Sequence, residues 1–344
     1  MASLPEPLGR VQVRTEVASG LELSRVAAPL GVLLVIFESR PDALPQIASL
    51  CLRAGDGLIL KGGREAQASN AALHACVCDA AAAVMGDTHG RAVVASVTSR
   101  GAVADLLALD DVIDLVIPRG SNALVQHIQA NTRIPVLGHA DGVCHVFVHA
   151  SAEPSKAVAI VCDSKCDYPA ACNAMETLLL HTPTVQSGVA AQLLDALRSK
   201  GVALLGGPRA VQQFGLPPAE SLHFEYSALT ACVELVDDVH AAIEHIHSHG
   251  SGHTECIVAE DPVAVEAFLG TVDAACVFHN ASTRFADGGR FGLGAEVGIA
   301  TGRLHARGPV GIDGLLTTRW LLRGAGHIVE KDNGVQYTHV RLQV

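Results

Sequence analysis

Cys172 is the residue whose type and surroundings best suit covalent chemistry. It follows Pro169 in the segment Tyr-Pro-Ala-Ala-Cys-Asn-Ala-Met-Glu, and we predict an apolar helix directly after it. A thiol at a helix N-terminus is stabilised as the thiolate by the helix dipole and by free N–H groups, which makes it a nucleophile at neutral pH. The alternative interpretation is a small buried hydrophobic residue, which is a common role of free cysteine.

Cationic, loop-forming segments follow three of the predicted strands. They read Glu-Ser-Arg-Pro at 38–41, Lys-Gly-Gly-Arg at 61–64 and Pro-Arg-Gly-Ser at 118–121. Ligands of open α/β sheets bind at the carboxyl ends of the strands, and helix N-termini bind phosphate. The three segments together therefore predict an anionic ligand at one sheet edge. Taken singly, each is also compatible with an ordinary turn that exposes a cation.

Other ligand and metal motifs are weak or absent. The sequence contains no G-x-G-x-x-G after a strand, no Walker A segment and no H-E-x-x-H. Two loose groups could bind a metal, but neither has paired C-x-x-C spacing. We therefore predict no metal site and interpret the histidines as a solvated helix end, where the dipole favours them. The residues of the two groups are His245, His247, His249 and His253, and Cys162, Cys166 and Cys172.

The hydrophobic pattern predicts the elements that position these residues. Residues 11–29 alternate polar and apolar around Gly20, which indicates a β-hairpin. From residue 32 onward, short apolar runs alternate with helical patterns, which predicts a parallel, doubly wound sheet. A second α/β stretch begins near residue 151. Residues 279–314 are rich in turn-forming residues, and long irregular segments of this kind are usually functional.

Composition excludes several classes of protein. Of 344 residues, 49% are hydrophobic, which is too many for a disordered chain. The net charge of −11 argues against general binding of nucleic acid. No apolar run reaches the roughly 20 residues of a membrane span. The ten cysteines occur without a secretory leader, so we expect reduced thiols and a cytoplasmic location; a longer chain could instead carry a mitochondrial presequence.

The sequence closely resembles the gamma-glutamyl phosphate reductase family, also called glutamate-5-semialdehyde dehydrogenase. It is most similar to the reductase half of bifunctional pyrroline-5-carboxylate synthase. The resemblance runs from about residue 11 to about residue 325, and the histidine-rich segment belongs to it. The segments that carry it are 29–41, 60–63, 113–120, 168–177, 236–257, 280–285, 291–296 and 305–309.

The resemblance implies an aldehyde dehydrogenase-like fold with two doubly wound α/β domains and a small β flap for oligomerisation. We expect the flap at 11–29 with a C-terminal strand at 325–344, the NADP-binding domain at 30–150 and the catalytic domain at 151–314. We expect this chain to lack the helical segment with which the family usually begins, because the sequence starts almost at the hairpin. A catalytically impaired fragment therefore stays an alternative, as does a non-catalytic assembly module.

The implied reaction is the NADPH-dependent reduction of L-glutamyl 5-phosphate to L-glutamate 5-semialdehyde and phosphate in proline biosynthesis. It proceeds through a thioester on Cys172, with Arg40 beside the oxyanion and the leaving phosphate. The resemblance places NADP(H) on Lys61, Gly120, Ser121 and Glu225. For the glutamyl substrate, the expected residues are Asn173, Asn280, Ser282, Thr283, Arg284, His305 and Arg307.

The runner-up is an oxidising aldehyde dehydrogenase. Such relatives need a glutamate before Gly-Gly to activate water, and the corresponding segment, 136–142, has none. His139 or Asp141 could take that role. The expected partners are a small-molecule substrate, a second copy of the chain in a homo-oligomer and, in a longer bifunctional chain, a glutamate 5-kinase domain. Neither nucleic acid nor membrane is expected.

Overall fold

The structure is a computed structural model that describes residues 4–38, 41–99, 101–139, 141–329 and 335–344. The chain forms two units. The first comprises Met1–Leu137, Leu293–Gly298 and Val310–Val344, and the second comprises Gly138–Gly292 and Ile299–Pro309. The second unit thus begins at Gly138 and not at residue 151, because strand Cys144–Val148 pairs with strands of that unit.

Strands and helices alternate along most of the described chain. The strands are β1 (Val11–Ala18), β2 (Leu21–Pro29), β3 (Val32–Phe37), β4 (Gly57–Lys61), β5 (Val94–Ser96), β6 (Leu115–Arg119), β7 (Cys144–Val148), β8 (Met175–His181), β9 (Ala203–Gly206), β10 (Thr230–Val236), β11 (Thr254–Val258), β12 (Cys276–His279), β13 (Ile299–Ala300), β14 (Gly308–Pro309), β15 (Leu316–Arg323) and β16 (Tyr337–Arg341). The helices are α1 (Ala43–Ala54), α2 (Gln67–Met85), α3 (Asp87–Ala92), α4 (Ala102–Leu107), α5 (Asn122–Ala130), α6 (Pro154–Cys166), α7 (Pro183–Gln186), α8 (Val189–Ser199), α9 (Pro208–Phe214), α10 (Val239–His249) and α11 (Pro262–Thr271).

The first unit holds two four-stranded sheets. One is the parallel sheet β5-β4-β3-β6, in which the strand β3 is apolar along its whole length. A strand buried on both faces needs such a run, because helices cover both sides of a parallel sheet. The other sheet is antiparallel, in the order β15-β2-β1-β16, and contains the hairpin 11–29.

The second unit is built on one six-stranded parallel sheet, β12-β11-β7-β8-β10-β9. Successive residues of its central strands point to opposite faces, as the two-residue period of a strand requires. Leu178 and Leu180 of β8 lie in the larger apolar cluster, with residues of α6 and α8, whereas Leu179 lies in the cluster on the other side, with residues of α10 and α11. All three are fully buried. The alternation fixes the register of the strands that carry the site.

The segment after Cys172 is a strand, and the predicted helix there is wrong. Residues Met175–His181 form β8, between β7 and β10. The run has seven residues and four of them, Met175 and Leu178–Leu180, are apolar. Periodicity alone does not separate a doubly buried strand from a buried helix here, and the short length favours the strand. The segment after Cys172 therefore supplies no helix dipole to its thiolate.

The helical stretch 64–85 is, among the described residues, the one long and apolar enough to cross a membrane by length and composition, with mean hydropathy 1.2 and 17% of the apolar window buried. The stretch is not one continuous apolar run; it reaches this mean hydropathy because it contains many alanines. In the structure, His74 and Cys78 of α2 both contact the carbonyl oxygen of Val94 in β5. The stretch thus packs against the first unit's parallel sheet.

Candidate functional site

Cys172 lies at the amino end of β8, in a tight loop that leaves it half-buried. The N–H of Ala171 donates to the carbonyl of Tyr168, and the N–H of Ala174 donates to that of Ala171, so the backbone turns twice around the thiol. The thiol of Cys144 donates to the carbonyl of Cys172 at 3.3 Å. Burial raises the pKa of Cys144 well above its usual value, which keeps that thiol protonated as a donor.

Most of the other thiols are poor candidates for a nucleophile. Burial raises their pKa, so little thiolate is available near neutral pH. The thiols concerned are Cys51, Cys78, Cys144, Cys162, Cys166, Cys232 and Cys256.

Gly142 lies directly against the backbone of Cys172. A Cβ atom on Gly142 would lie 2.3 Å from the carbonyl oxygen of Cys172 and 2.7 Å from its Cα, so only glycine fits here without displacing the loop. The N–H of Gly142 donates to the carboxylate of Glu225 at 2.9 Å, and the hydroxyl of Ser227 donates to the same carboxylate at 3.3 Å. The structure thereby brings Glu225 next to the candidate nucleophile; its role on a nicotinamide ribose stays a prediction.

Two histidines from distant segments face Cys172. One ring nitrogen each of His139 and His253 and the sulfur of Cys172 lie within 4.8 Å of one another. The two rings meet edge to face, with centroids 4.9 Å apart. His139 precedes β7, Cys172 precedes β8 and His253 precedes β11, and these three strands are neighbours in the order β11-β7-β8.

The spacing of these residues in the sequence does not predict the group, because the order of the strands in the sheet brings the three residues together. His253 lies close in sequence to the other three histidines of its segment. From the sequence it was therefore grouped with them and not with Cys172.

A buried ion pair supports the loop that holds Glu225. The Nζ of Lys165 lies 2.7 Å from a carboxylate oxygen of Glu176, and both side chains are fully buried. The other oxygen of Glu176 accepts the N–H of Ser227 at 3.2 Å. Burial raises the pKa of Glu176 to about 7 and lowers the pKa of Lys165. The pair was not foreseen from the sequence, since nothing in the spacing of a lysine and a glutamate indicates that both are inside.

Asn173 and Arg284 form a polar contact beside Cys172. The Nδ2 of Asn173 donates to the carbonyl of Ala286 at 2.9 Å, and its Oδ1 accepts the guanidinium of Arg284. Arg284 also donates to Asp167 at 3.2 Å and lies over the ring of Tyr168. The predicted carboxylate-binding arginine is therefore near the nucleophile, and it is already paired.

Ser282 and Thr283 lie in the same turn as Arg284. The hydroxyl of Ser282 accepts the N–H of Arg284 at 3.2 Å and so fixes the turn. Thr283 is fully buried, and its hydroxyl oxygen has no hydrogen-bond partner. Both predicted residues are thus brought close to Asn173, whose neighbour is Cys172.

Asn280 lies at the opposite end of the sheet. It follows β12, and its side chain bonds the N–H and the carbonyl of Ala259, just beyond β11. His253 is at the other end of β11, which has five residues, and a strand of that length spans about 17 Å. The structure thus does not bring Asn280 together with Cys172, because β11 and β12 run parallel and their carboxyl ends point away from the nucleophile.

His305 and Arg307 lie in the turn between β13 and β14. Arg307 forms an ion pair with Asp273 at 2.6 Å and donates to the carbonyl of Thr301 at 3.0 Å. It also lies beside Gly252, the residue before His253. His305 is exposed and has a positive φ of 65°. Arg307 is therefore near the amino end of β11, where it holds the turn in place.

The predicted cofactor residues of the first unit lie at the carboxyl ends of its strands. Lys61 ends β4, is 8% exposed and donates from Nζ to the carbonyl of Gly62 at 2.7 Å. A shallow cleft begins directly beside it. Backbone, a cation and hydroxyls line the cleft, a donor set that suits a ribose and its phosphate. The lining residues are Gly62, Gly63, Arg64, Gln67, Asn70, Ala71, Ser96, Val97 and Thr98.

Gly120 and Ser121 face a carboxylate. The N–H of Ser121, the N-cap of α5, donates to Glu38 at 3.2 Å, and a Cβ on Gly120 would lie 2.5 Å from the same oxygen. Glu38 thus occupies the helix N-terminus where the pyrophosphate is expected. Arg40, the predicted partner of the oxyanion, lies outside the described residues.

The comparisons with known proteins establish the class of fold first. An acetylating aldehyde dehydrogenase from Geobacillus thermoglucosidasius matches with a TM-score of 0.68 at 19% identity, over 90% of this chain and 78% of that chain. Gamma-glutamyl phosphate reductase from Thermotoga maritima matches with a TM-score of 0.90 at 35% identity, over 95% of this chain and 80% of that one. The fold is that of the aldehyde dehydrogenases.

The curated relatives establish the family. Gamma-glutamyl phosphate reductase from Synechococcus sp. is 52% identical over 333 residues, which are 95% of this chain and 75% of that protein. Delta-1-pyrroline-5-carboxylate synthase A from Arabidopsis thaliana is 59% identical over 98% of this chain and 47% of its own length. No protein-family model matches the chain.

The chain belongs to the gamma-glutamyl phosphate reductase family, and the resemblance inferred from its motifs is confirmed. It spans about half the length of the plant synthases it matches.

Proposed function

We propose that this chain reduces L-glutamyl 5-phosphate to L-glutamate 5-semialdehyde and phosphate with NADPH, through a thioester on Cys172. The observation that carries the proposal is the half-buried thiol of Cys172, with Gly142, Glu225 and two imidazoles packed around it, in a member of the reductase family. The Cys172 sulfur attacks the acyl carbon, and the C–O bond to phosphate breaks. Bound NADPH supplies the hydride that reduces the thioester.

The residues around Cys172 position the reacting groups. The Cys144 thiol and Gly142 fix the backbone of Cys172. In the proposal, the guanidinium of Arg40 neutralises the oxyanion and the leaving phosphate, as charged donors do at developing charge. Arg284, with Ser282 and Thr283 in its turn, receives the glutamyl end. Asn173 shapes that contact through its bond to Arg284.

The cofactor residues of the proposal lie in the first unit. The cleft beside Lys61 receives the adenosine ribose and its 2′-phosphate, with Arg64 as a further cation. Gly120 and Ser121 receive the pyrophosphate once Glu38 moves from the α5 N-terminus, because two anions do not share that position. Glu225 receives the nicotinamide ribose.

Loss of the thiol tests the nucleophile. With purified protein, NADPH consumption with glutamyl phosphate, and NADP+ reduction with semialdehyde and phosphate, should both be abolished in Cys172→Ala. The matched control is Cys76→Ser, an exposed thiol on α2 that should keep full activity. Retained activity in Cys172→Ala refutes the nucleophile. Oxidation of semialdehyde that needs no phosphate identifies the oxidising aldehyde dehydrogenase instead.

We also propose a homo-oligomer formed through the antiparallel sheet. Its edge strands β15 and β16 are unpaired on their outer sides within the described residues and expose apolar side chains, among them Trp320 at 56% and Leu322 at 60%. Edges of this kind readily pair with another strand. Light scattering after gel filtration should give a multiple of the chain mass, and a monomer that is fully active would contradict the proposal.

The cellular setting is proposed as well. All ten cysteines are free, which favours a reducing compartment, and we propose the cytoplasm. A fluorescent fusion that localises elsewhere would refute this.

We further propose that the chain works as the reductase half of a longer protein whose glutamate 5-kinase domain makes the acyl phosphate. Transcript sequencing upstream of Met1 should find that domain, and an in-frame stop codon would contradict it.

A further inference from the structure

The donor atoms around Cys172 form a group that thioester chemistry alone does not explain. His139, Cys172 and His253 each present one nitrogen or sulfur atom, and these three atoms lie within 4.8 Å of one another. It is the one such group of histidine, cysteine or carboxylate donors among the described residues. The sequence-adjacent histidines at the end of α10 do not form one.

Both imidazoles are oriented by a bond at Nδ1. In His139, Nδ1 lies 2.8 Å from the carbonyl oxygen of Ile299. A carbonyl only accepts, so Nδ1 carries the proton and Nε2 keeps the lone pair. In His253, Nδ1 lies 2.9 Å from the hydroxyl of Thr254. Metal-binding histidines are held in this way, by a second hydrogen bond on the nitrogen that does not bind the metal.

The second nitrogen of His253 lacks a partner. The residue is 0% exposed, and its Nε2 makes no hydrogen bond. Most buried polar atoms are paired. The Nε2 atoms of His145 and His245 are unpaired as well, but of these three residues only His253 has a ring nitrogen within 4.8 Å of both a thiol and a second imidazole, which favours a ligand there.

We propose that His139, Cys172 and His253 bind one Zn²⁺ ion, which reversibly blocks the nucleophile. One thiolate and two imidazoles suit Zn²⁺, whereas Mg²⁺ and Ca²⁺ require oxygen ligands. Tetrahedral bonds of about 2.0–2.3 Å place ligand atoms roughly 3.3–3.8 Å apart. Small rotations of the half-buried His139 and Cys172 close the remaining gap. Binding displaces the thiol proton to solvent, and water or a substrate oxygen completes the fourth position.

Only the loss of activity depends on the proposed function, since it requires Cys172 to be the nucleophile. Metal binding itself does not, so the two can fail separately. A chain that binds Zn²⁺ at this group but does not turn over glutamyl phosphate refutes the reductase. An active reductase without the metal site refutes the present proposal.

The first experiment titrates chelator-washed, reduced protein with Co²⁺ as a spectroscopic stand-in for Zn²⁺. We expect one equivalent to give the visible bands of tetrahedral cobalt and a sulfur-to-cobalt charge-transfer band. Zn²⁺ should displace the cobalt, inhibit turnover reversibly and protect the Cys172 peptide from alkylation by iodoacetamide. Absence of the charge-transfer band, or of protection at Cys172, overturns the proposal.

The second experiment assigns the imidazoles. His139→Gln and His253→Gln should each weaken Zn²⁺ binding by at least about tenfold, as loss of a ligand or its support does. His240→Gln, an exposed histidine on α10, is the control and should bind Zn²⁺ as the unmodified chain does. If the variant at the buried His253 fails to fold, the Zn²⁺ affinity of the variant at the half-buried His139 decides the test. Unchanged Zn²⁺ affinity in His139→Gln refutes the site.

The same two variants allow another outcome. If they shift the pH profile of Cys172 alkylation but bind Zn²⁺ as the unmodified chain does, the histidines exchange a proton with the thiol, and the metal proposal is refuted.

Discussion

The two units carry their candidate residues at opposite ends of their parallel sheets. In the first unit, Lys61 ends β4, and Gly120 and Ser121 follow β6, as the carboxyl-end rule for open α/β sheets predicts. In the second unit, Cys172 precedes β8 and His253 precedes β11, both at the amino ends. The rule thus applies to the predicted cofactor residues of the first unit, and it does not locate the predicted nucleophile of the second.

The difference extends to electrostatics. The amino edge of the second unit is supported by buried charges, Lys165 with Glu176, that are paired with each other. At the carboxyl edge of the first unit, the carboxylate of Glu38 caps the N-terminus of α5 from an exposed position. We therefore expect substitutions in the second unit to have large effects on stability or activity, and substitutions in the first unit to have smaller effects.

The largest effect is expected for the buried ion pair. Lys165→Met leaves the carboxylate of Glu176 buried without its partner, which should lower the free energy of unfolding by about 3–5 kcal/mol in urea titrations at pH 8. The pKa of Glu176 is already raised to about 7. The loss should therefore grow as pH rises through that value and shrink toward pH 5, where the acid is protonated.

Two controls belong to that measurement. Lys165→Met combined with Glu176→Leu should recover most of the stability, because no buried charge remains. Lys156→Met breaks the exposed pair with Glu260 and should cost at most about 1 kcal/mol. Equal losses at the buried and exposed pairs would show that the second unit does not depend on buried charge.

The next effect concerns the fit of Gly142 against Cys172. Gly142→Ala places a methyl group 2.3 Å from the carbonyl of Cys172, so the loop must move by about 1 Å, and kcat should fall by about a hundredfold. Gly270→Ala, where nothing lies within 4 Å of the added Cβ, is the matched control and should keep its activity. Unchanged kcat in Gly142→Ala would show that the position of the Cys172 backbone is not critical.

A buried carboxyl distinguishes the first unit by its pH dependence. Burial raises the pKa of Asp56 to about 6, while its Oδ1 accepts the N–H of Gly31 at 2.9 Å. The pKa is higher folded than unfolded, so this group's contribution to stability is present below about pH 4 and is lost as pH rises through 6.

Asp56→Asn keeps the hydrogen-bond acceptor and cannot ionise. The free energy of unfolding of the variant, relative to that of the unmodified chain, should rise by about 2 kcal/mol from pH 4.5 to pH 7.5. Urea unfolding at both pH values measures this difference. Asp195→Asn, at an exposed position on α8, should show no such difference. A parallel pH dependence in Asp56→Asn and the unmodified chain would contradict the assignment.

The smallest effect is expected at the N-terminus of α5. Glu38→Gln removes a negative charge from the helix end where the phosphates of the cofactor are proposed to bind, so NADPH should bind about two- to fivefold more tightly. Fluorescence titration measures the affinity, and the gain should shrink at high salt. Weaker binding in the variant would show that Glu38 itself contacts the cofactor.

Much of the fold follows from local pattern. The hairpin 11–29, the helix between Asp42 and Gly55 and the strand β3 have clear periodicity and end signals, and the structure has them at nearly those bounds. The run after Cys172 is different. Six of its seven residues are buried, on both faces of the sheet, so the pattern does not distinguish one face, and the wrong helix prediction carried over into the argument for the reactivity of Cys172.

The site was only partly predictable. Arg284, from the segment 280–285, contacts Asn173, the residue next to Cys172 in the segment 168–177. Asn280 lies about a strand length from Cys172, because it follows the carboxyl end of β12, whereas Cys172 precedes the amino end of β8. The contact of His139 and His253 with Cys172 depends on the order β11-β7-β8, which arises from tertiary pairing that no local pattern encodes.

The most direct test of the central claim is to trap the acyl group. The protein is incubated with glutamate semialdehyde and NADP+ without phosphate, quenched in acid, digested and analysed by mass spectrometry. We predict a glutamyl thioester on the peptide that contains Cys172, which phosphate discharges. A glutamyl adduct on another cysteine, or turnover with no adduct on Cys172, would contradict the account.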